Sequence, residues 1–289
     1  MSEAKKDAVS KLVALLDIER LDELLFRGQC GSVGLGRVFG VQVLAQALVA
    51  GLRSVGQERS VHSLHGYFIL PGELGHPIIY EVENLRDGGS FSTRRIKAIQ
   101  HGKVIFVMVA SFHRNEEGLD HGAVMPDVPP PNELKSGHEL FTGEFANLPQ
   151  SMQRFWKRFH SIDFRPVDIS RYIDRKRRKP AQHIWFKAAD ALPDNPEVHV
   201  GLLAYASDFA LLETALVAHG KLLSDPDVRL ASLDHALWFH RPFRADEWLL
   251  YSLDSPSSSG ARGFCRGQLF TEDGKLVASS AQEGLMRIG

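Results

Sequence analysis

The sequence holds only two cysteines in 289 residues, Cys30 and Cys265. They lie far apart in the chain and fit no metal-ligand spacing, so neither a disulfide framework nor a zinc site is expected. Free buried thiols in a reducing compartment are the expectation. No run of about 18 apolar residues occurs, which removes a transmembrane helix. Neither charge sign is in excess. Lys and Arg number 34 against 35 Asp and Glu, leaving a net charge of −1 and no broad field to attract nucleic acid or an anionic membrane. The polar start leads into an amphipathic helix and not into a signal peptide. The final residues, Met286-Arg287-Ile288-Gly289, carry no Ser-Lys-Leu address. A soluble, cytoplasmic protein is expected. The Gly-x-Ser-x-Gly elbow that presents a nucleophilic serine is also missing.

What is present is ordinary globular composition, 44% hydrophobic and 24% charged, enough for one large domain or two of usual size. The informative stretch is residues 199–212, too densely apolar for a surface helix and read as a helix buried on most sides. Between Gly201 and Leu212 its one charged residue is Asp208. A carboxylate there must be hydrogen-bonded, shift its pKa upward, or border a water-filled pocket. It is either a structural acid satisfied by its neighbours or a catalytic group in a cleft.

In chain order, residues 7–17 have helical spacing, 25–29 read as a strand, and Gly31, Gly34 and Gly36 mark a glycine-rich loop. An apolar helix follows over 38–52, then strands over 62–70, 78–86, 91–100 and 103–113, the last two joined by a tight turn at His101-Gly102. Residues 125–131 form a proline-rich linker, 149–159 a helix, and 175–179 a basic run. That run is either a solvated loop or a phosphate-contacting patch. The second half then replays the first: strand 184–188, the helix with Asp208, strand 231–242, strand 248–254, and a hairpin of 263–271 and 275–284 turning at Glu272-Asp273-Gly274. The spacing from Ser63 to Ser232 nearly equals that from Gly102 to Gly274, so one unit is duplicated. The divisions are 1–115, a linker over 116–181, and 182–289. An antiparallel sheet curled around a central helix satisfies each unit, giving an α+β fold.

The phrases Val38-Phe39-Gly40-Val41-Gln42, Leu85-Arg86-Asp87-Gly88-Gly89-Ser90-Phe91, Ala206-Ser207-Asp208, residues 233–243 and Gln282-Glu283-Gly284 are together specific. Over nearly its whole length the chain resembles the double-hotdog acyl-CoA thioesterase II family. That resemblance implies hydrolysis of acyl-CoA to fatty acid and CoA with no metal or organic cofactor. It also implies a catalytic Asp, Ser or Thr, and Gln, which fall by position on Asp208, Ser232 and Gln282. Val41 departs from the family, whose members often have a second Gly there.

Thioester hydrolysis needs a positioned water, a proton acceptor and donors for the developing oxyanion. Asp208 suits the acceptor. Ser232 and Gln282, otherwise an ordinary strand hydroxyl and an edge amide, can orient water or carbonyl oxygen. Gly40 permits close approach at a helix start, where free N–H groups and the dipole favour an oxyanion. Arg86, Arg94, Arg262 and the 175–179 run are candidates for the CoA phosphates. Asp234 and His235, adjacent on a strand, should face opposite sides and serve supporting or structural roles; His240 is read as structural, and His62 and His65 have no identifiable partner. The first helix has no acid, so one active site per chain is expected. The competing readings are a hydratase or dehydratase on acyl thioesters, which would need a His-acid couple, and a non-catalytic acyl-CoA-binding module. Sheet pairing points to a homodimer or homotetramer.

Overall fold

Residues 91–100 alternate strictly, with Ser92, Arg94, Ile96, Ala98 and Gln100 buried and their neighbours more exposed. That period of two fixes which face of a sheet is covered, and the same pattern recurs through the chain. In the computed structural model, which describes residues 2–30, 38, 40–143 and 160–289, these segments form one thirteen-stranded antiparallel sheet. The strands of the first half are β1 (Glu19–Asp22), β2 (Leu25–Gly28), β3 (Arg59–Phe68), β4 (Ile78–Asp87), β5 (Phe91–Gln100) and β6 (Lys103–Arg114). Those that follow are β7 (Ile162–Pro166), β8 (Ala181–Ala188), β9 (Val228–Ser232), β10 (Asp234–Phe239), β11 (Leu249–Ser259), β12 (Arg262–Thr271) and β13 (Leu276–Ile288).

Across the sheet the order is β1-β2-β4-β5-β6-β3-β10-β13-β12-β11-β8-β7, with β9 on the far end of β13. The seam between the halves is β3 against β10, where Leu64 faces Leu237. The hairpin at His101-Gly102 turns with both residues left-handed (φ 50° and 71°), the geometry that matches strand twist. The glycine-rich loop and the helix read over 149–159 lie outside the described residues. β7 falls inside the segment read as linker and adds a strand beside β8. The proline-rich segment runs along the sheet, where the Pro129 carbonyl accepts from Trp185 Nε1 at 3.0 Å.

Two helices fill the inner side. Gly40–Leu52 is buried from Val41 to Gly51, and Pro196–Ala206 is buried along most of its length. Gly201 faces the first helix, where a Cβ would make ordinary contact with Val49 at 3.5 Å and Leu16 at 3.6 Å. At their ends Arg53, just past the first helix, meets Glu197 in the first turn of the second at 2.5 Å. This places a cation at a helix C-terminus and an anion at an N-terminus.

The second helix is shorter than the sequence pattern indicates. It stops at Ala206, residues 207–213 form turns, and a short helix resumes over Thr214–Val217. Ala210 is left-handed (φ 60°), which no helix continues through. Gln182 Nε2 donates to the Ala210 carbonyl (2.9 Å), which also accepts from the Thr214 N–H (3.1 Å), and to Thr214 Oγ1 (2.6 Å), so a side chain ties this turn to β8. Dense apolarity reported burial here, not helix continuity. Asp208 therefore sits in a turn just beyond the helix end.

The strand read over 231–242 is likewise two. Ser232 pairs with Gly284, whereas Ala236 pairs with Ala281, so one extra residue enters at the β9–β10 junction. Leu233 N–H donates to the Glu283 carbonyl, and the Asp234 carboxylate takes the Glu283 N–H at 2.7 Å in place of a backbone partner.

Gly284 lies across from Ser232, where a Cβ would come within 2.3 Å of Leu212 Cδ2 and 3.0 Å of its Cγ. Leu212 is buried and belongs to the turn segment that carries Asp208. Gly284→Ala should therefore cost about 1–3 kcal/mol of stability through overpacking, read as a lower urea midpoint at unchanged m-value.

Candidate active site

The bulge decides which side chains meet. In an uninterrupted strand, residues 232 and 235 would face opposite sides. The extra residue restores the phase. Ser232 then shares the inner face with Gly284, and His235 turns inward beside Gln282. Asp208 arrives from the opposite side, on the turn after the helix.

Gln282 Nε2 donates to Asp208 Oδ1 at 2.6 Å and to Ser232 Oγ at 2.9 Å, and Ser232 Oγ is 3.4 Å from the same Asp208 oxygen. These are the three residues singled out in the sequence, contributed by a turn and two strands. Burial pushes the Asp208 carboxyl up to about 6, and the bonds from Gln282 and Ser232 work against that rise. Among the described residues no cation takes part in the balance. Such a carboxylate is ionised at neutral pH yet close to its titration point, the condition for an efficient general base.

Behind them lies a second layer. His235 is 1% exposed, with Nδ1 at 2.5 Å from Gln282 Oε1 and Nε2 at 2.8 Å from Ser207 Oγ. Burial pulls its pKa down to about 4, so the ring is neutral. Tyr251 donates its hydroxyl to the Ser207 carbonyl at 2.5 Å and sits 2.7 Å from Ser280 Oγ. Sequence reasoning missed Ser207 and Tyr251. Adjacency to Asp208 was the one signal for Ser207, and nothing in the sequence marks Tyr251.

The other candidates fall elsewhere. Gly40 opens the first helix, where a Cβ would lie 2.8 Å from the Phe68 ring. Phe68 N–H in turn donates to the carbonyl of Leu233, the residue after Ser232. Arg94 is buried, and each of its guanidinium nitrogens is engaged by Ser54, Asn84, Asp87 or a carbonyl, so it braces the β4–β5 turn and offers no free donor to a phosphate. Arg86 is exposed at the end of β4. Arg262 bonds Glu283 at 2.9 Å on the sheet face away from Gln282. In the basic run, Arg175 pairs with Asp225 and Arg178 with Asp174. His62 does have a partner, Ser111 Oγ at 2.8 Å, and His65 packs edge-on against Trp238; His240 meets Ser279. Both cysteines are free. Among the described residues the donors grouped closely enough for a metal are Glu73, His76 and His101, exposed around the β5–β6 turn.

In the first half, the equivalent helix presents amides instead of an acid. Gln42 and Gln46 donate to the backbone carbonyls of Gln29 and Leu15, and Tyr80 donates to Gln46 Oε1.

Residues 159–285 match the family model described as acyl-CoA thioesterase, and residues 27–113 match the acyl-CoA thioesterase N-terminal domain. The chain belongs to the acyl-CoA thioesterase family. It is 37% identical to "Acyl-CoA thioesterase 2" of Haemophilus influenzae, covering 97% of this chain and 98% of that one. It is 39% identical to human "Acyl-coenzyme A thioesterase 8", covering 96% and 89%. Among solved structures, an acyl-CoA thioesterase II, TesB2, from Mycobacterium marinum aligns with TM-score 0.81 and 41% identity over 96% of this chain and 98% of that one. A hot dog fold protein of unknown function from Alicyclobacillus acidocaldarius, 18% identical over 96% of this chain and 98% of that one, aligns with TM-score 0.77 and supports the hotdog fold. No helix among the described residues is long and apolar enough to cross a membrane.

A desolvated acid with only neutral partners among the described residues is a stability cost. Its folded pKa of about 6 exceeds the ordinary 3.8, so the penalty is full above pH 6 and is relieved as the group protonates below it. Asp208→Asn should stabilise the protein by about 1–3 kcal/mol at pH 8, with the gain vanishing towards pH 4. Thermal or urea melts of both proteins across that range check it.

Proposed function

We propose that this thioesterase hydrolyses acyl-CoA thioesters to free fatty acid and CoA at one site per chain, built by Asp208, Ser232 and Gln282. Each half is a hotdog unit, the first structural and the second carrying the chemistry. The observation that carries the reading is the meeting of a desolvated carboxylate with an amide and a hydroxyl from separate strands, all within 3.4 Å. Family membership supplies the substrate class.

In this reading Asp208 accepts a proton from a water held beside Ser232 and Gln282. The hydroxide equivalent adds to the thioester carbonyl, and the tetrahedral intermediate collapses with loss of the CoA thiolate, which is then protonated. Hydrogen-bond donors that meet the oxyanion lower the barrier most when fixed in advance. The N–H groups at the start of Gly40–Leu52, reached through Phe68 and Leu233, are candidates for that role. A hydratase would use a histidine as its base, but both His235 nitrogens are occupied and the ring resists protonation. Cytoplasmic residence and a homodimeric or homotetrameric assembly complete the proposal; the exposed Tyr67 and Val109 on the central strands offer apolar surface for pairing.

Free-thiol release from acyl-CoA esters of increasing chain length, with wild type and Asp208→Asn side by side, is the test. Wild type should turn over, and the variant should lose about two decades in kcat. Binding without thiol release would replace hydrolysis with a binding role; turnover unchanged in Asp208→Asn would remove the site. The pH profile of kcat/KM should fall on the acid side with an apparent pKa near 6 as Asp208 protonates. Around the cluster His235 charges only near pH 4, Cys265 ionises near 11 and Tyr251 higher still; burial also raises Asp234 at the bulge, so loss of the limb near 6 in Asp208→Asn is what assigns it to Asp208.

A further inference from the structure

The Gln282 amide has two unlike ends, and its orientation decides what Asp208 meets. With Nε2 towards Asp208 the carboxylate receives a hydrogen bond at 2.6 Å. Turned over, the amide would set Oε1 against the carboxylate at the same distance, two acceptors with no hydrogen between them. Asp208 alone cannot hold the amide once it takes a proton, because a protonated carboxyl bonds equally well to an amide oxygen. Something else must fix the far end.

His235 is the residue at that end, 2.5 Å from Oε1. An amide oxygen only accepts, so the hydrogen must come from Nδ1. A neutral imidazole then has a bare Nε2, and this nitrogen faces the Ser207 hydroxyl at 2.8 Å. The Ser207 hydroxyl also lies within donating distance of the Ala204 carbonyl, at 2.8 Å; with the ring hydrogen on Nδ1 it gives its hydrogen to Nε2 instead. The Ser207 backbone is itself held by Tyr251. With that tautomer one polar order runs along the whole line, from Ser207 through His235 and Gln282 to Asp208 and Ser232.

We infer that His235 is a positioning residue whose Nδ1–H locks the Gln282 amide with Nε2 facing Asp208 and Ser232. This rests on the reading of Asp208 as the proton acceptor. The ring touches no reacting atom. It keeps the acid's donor in place through a cycle in which the acid changes charge, so losing it should slow the chemical step and leave substrate affinity largely intact.

The first test needs no variant. Nitrogen-15 NMR of histidine-labelled wild type at neutral pH should show one buried ring as the neutral Nδ1–H tautomer, its signal identified by loss in His235→Asn. An Nε2–H tautomer or an imidazolium at this position overturns the inference. The second test is kinetic. His235→Leu should lower kcat by about 10- to 100-fold with KM changed by less than about threefold. The acid limb of its pH profile should move upward, because Asp208 loses a steady donor. His235→Asn, which restores an N–H donor on the same side, should recover about tenfold of the loss. Equal rates for the two variants, with the limb at its wild-type position and both melting like wild type, overturn the inference. If His235→Leu does not fold, the tautomer decides. Failure of the catalytic reading would show separately, as full activity in Asp208→Asn with the tautomer still as expected.

Discussion

A part-buried carboxylate whose hydrogen-bond partners among the described residues are neutral is the constraint around which the second half of the chain is arranged. Asp208 has neutral partners in Gln282 and Ser232, and they only partly offset the cost of burial. A cation would have paired the acid and pulled its pKa down, away from neutral pH. Neutral dipoles leave it ionised at neutral pH but near its titration point. The price is stability, which the sheet and the packed helices supply elsewhere. The first half shows the other solution: Gln42 and Gln46 occupy the buried helix, satisfy backbone carbonyls, and leave no proton acceptor.

Two departures from regular structure bring the site together. The helix stops two residues before Asp208, and the left-handed Ala210 turns the chain so that the carboxylate meets strands instead of lying along a helix face. On the sheet, the extra residue between β9 and β10 brings Ser232 and His235 to the same side, which an even strand forbids. Both irregularities have their backbone groups covered by side chains, Gln182 at the turn and Asp234 at the bulge. Irregular backbone inside a protein persists only where such partners exist.

Much of this was legible in the sequence. Alternation located the hairpins to within a residue or two, because strand periodicity and a left-handed His-Gly turn are local properties. The duplicated order of elements was visible, and so was the oddity of one acid in an apolar stretch. The failures were also local readings. Residues 199–212 look helical because apolar density reports burial whether the backbone coils or turns. Residues 231–242 look like one strand because a single inserted residue does not disturb composition. Arg94 passed for a free cation, although the groups that engage it come from residues 54 and 84–93, brought around it by pairing of β4 with β5.

By itself the sequence determined the α+β class, the duplicated order of elements, the absence of an acid in the first buried helix, and which three residues to suspect. These depend on residue type and short-range spacing, which the chain carries wherever it folds. Tertiary structure alone decided that Asp208, Ser232 and Gln282 touch, that His235 faces Gln282 and not solvent, and that Arg94 is occupied. Those facts depend on strand phase across a bulge and on a turn that ends a helix early. A one-residue shift at the bulge would reverse the face of every strand side chain beyond it, and no local pattern records that shift.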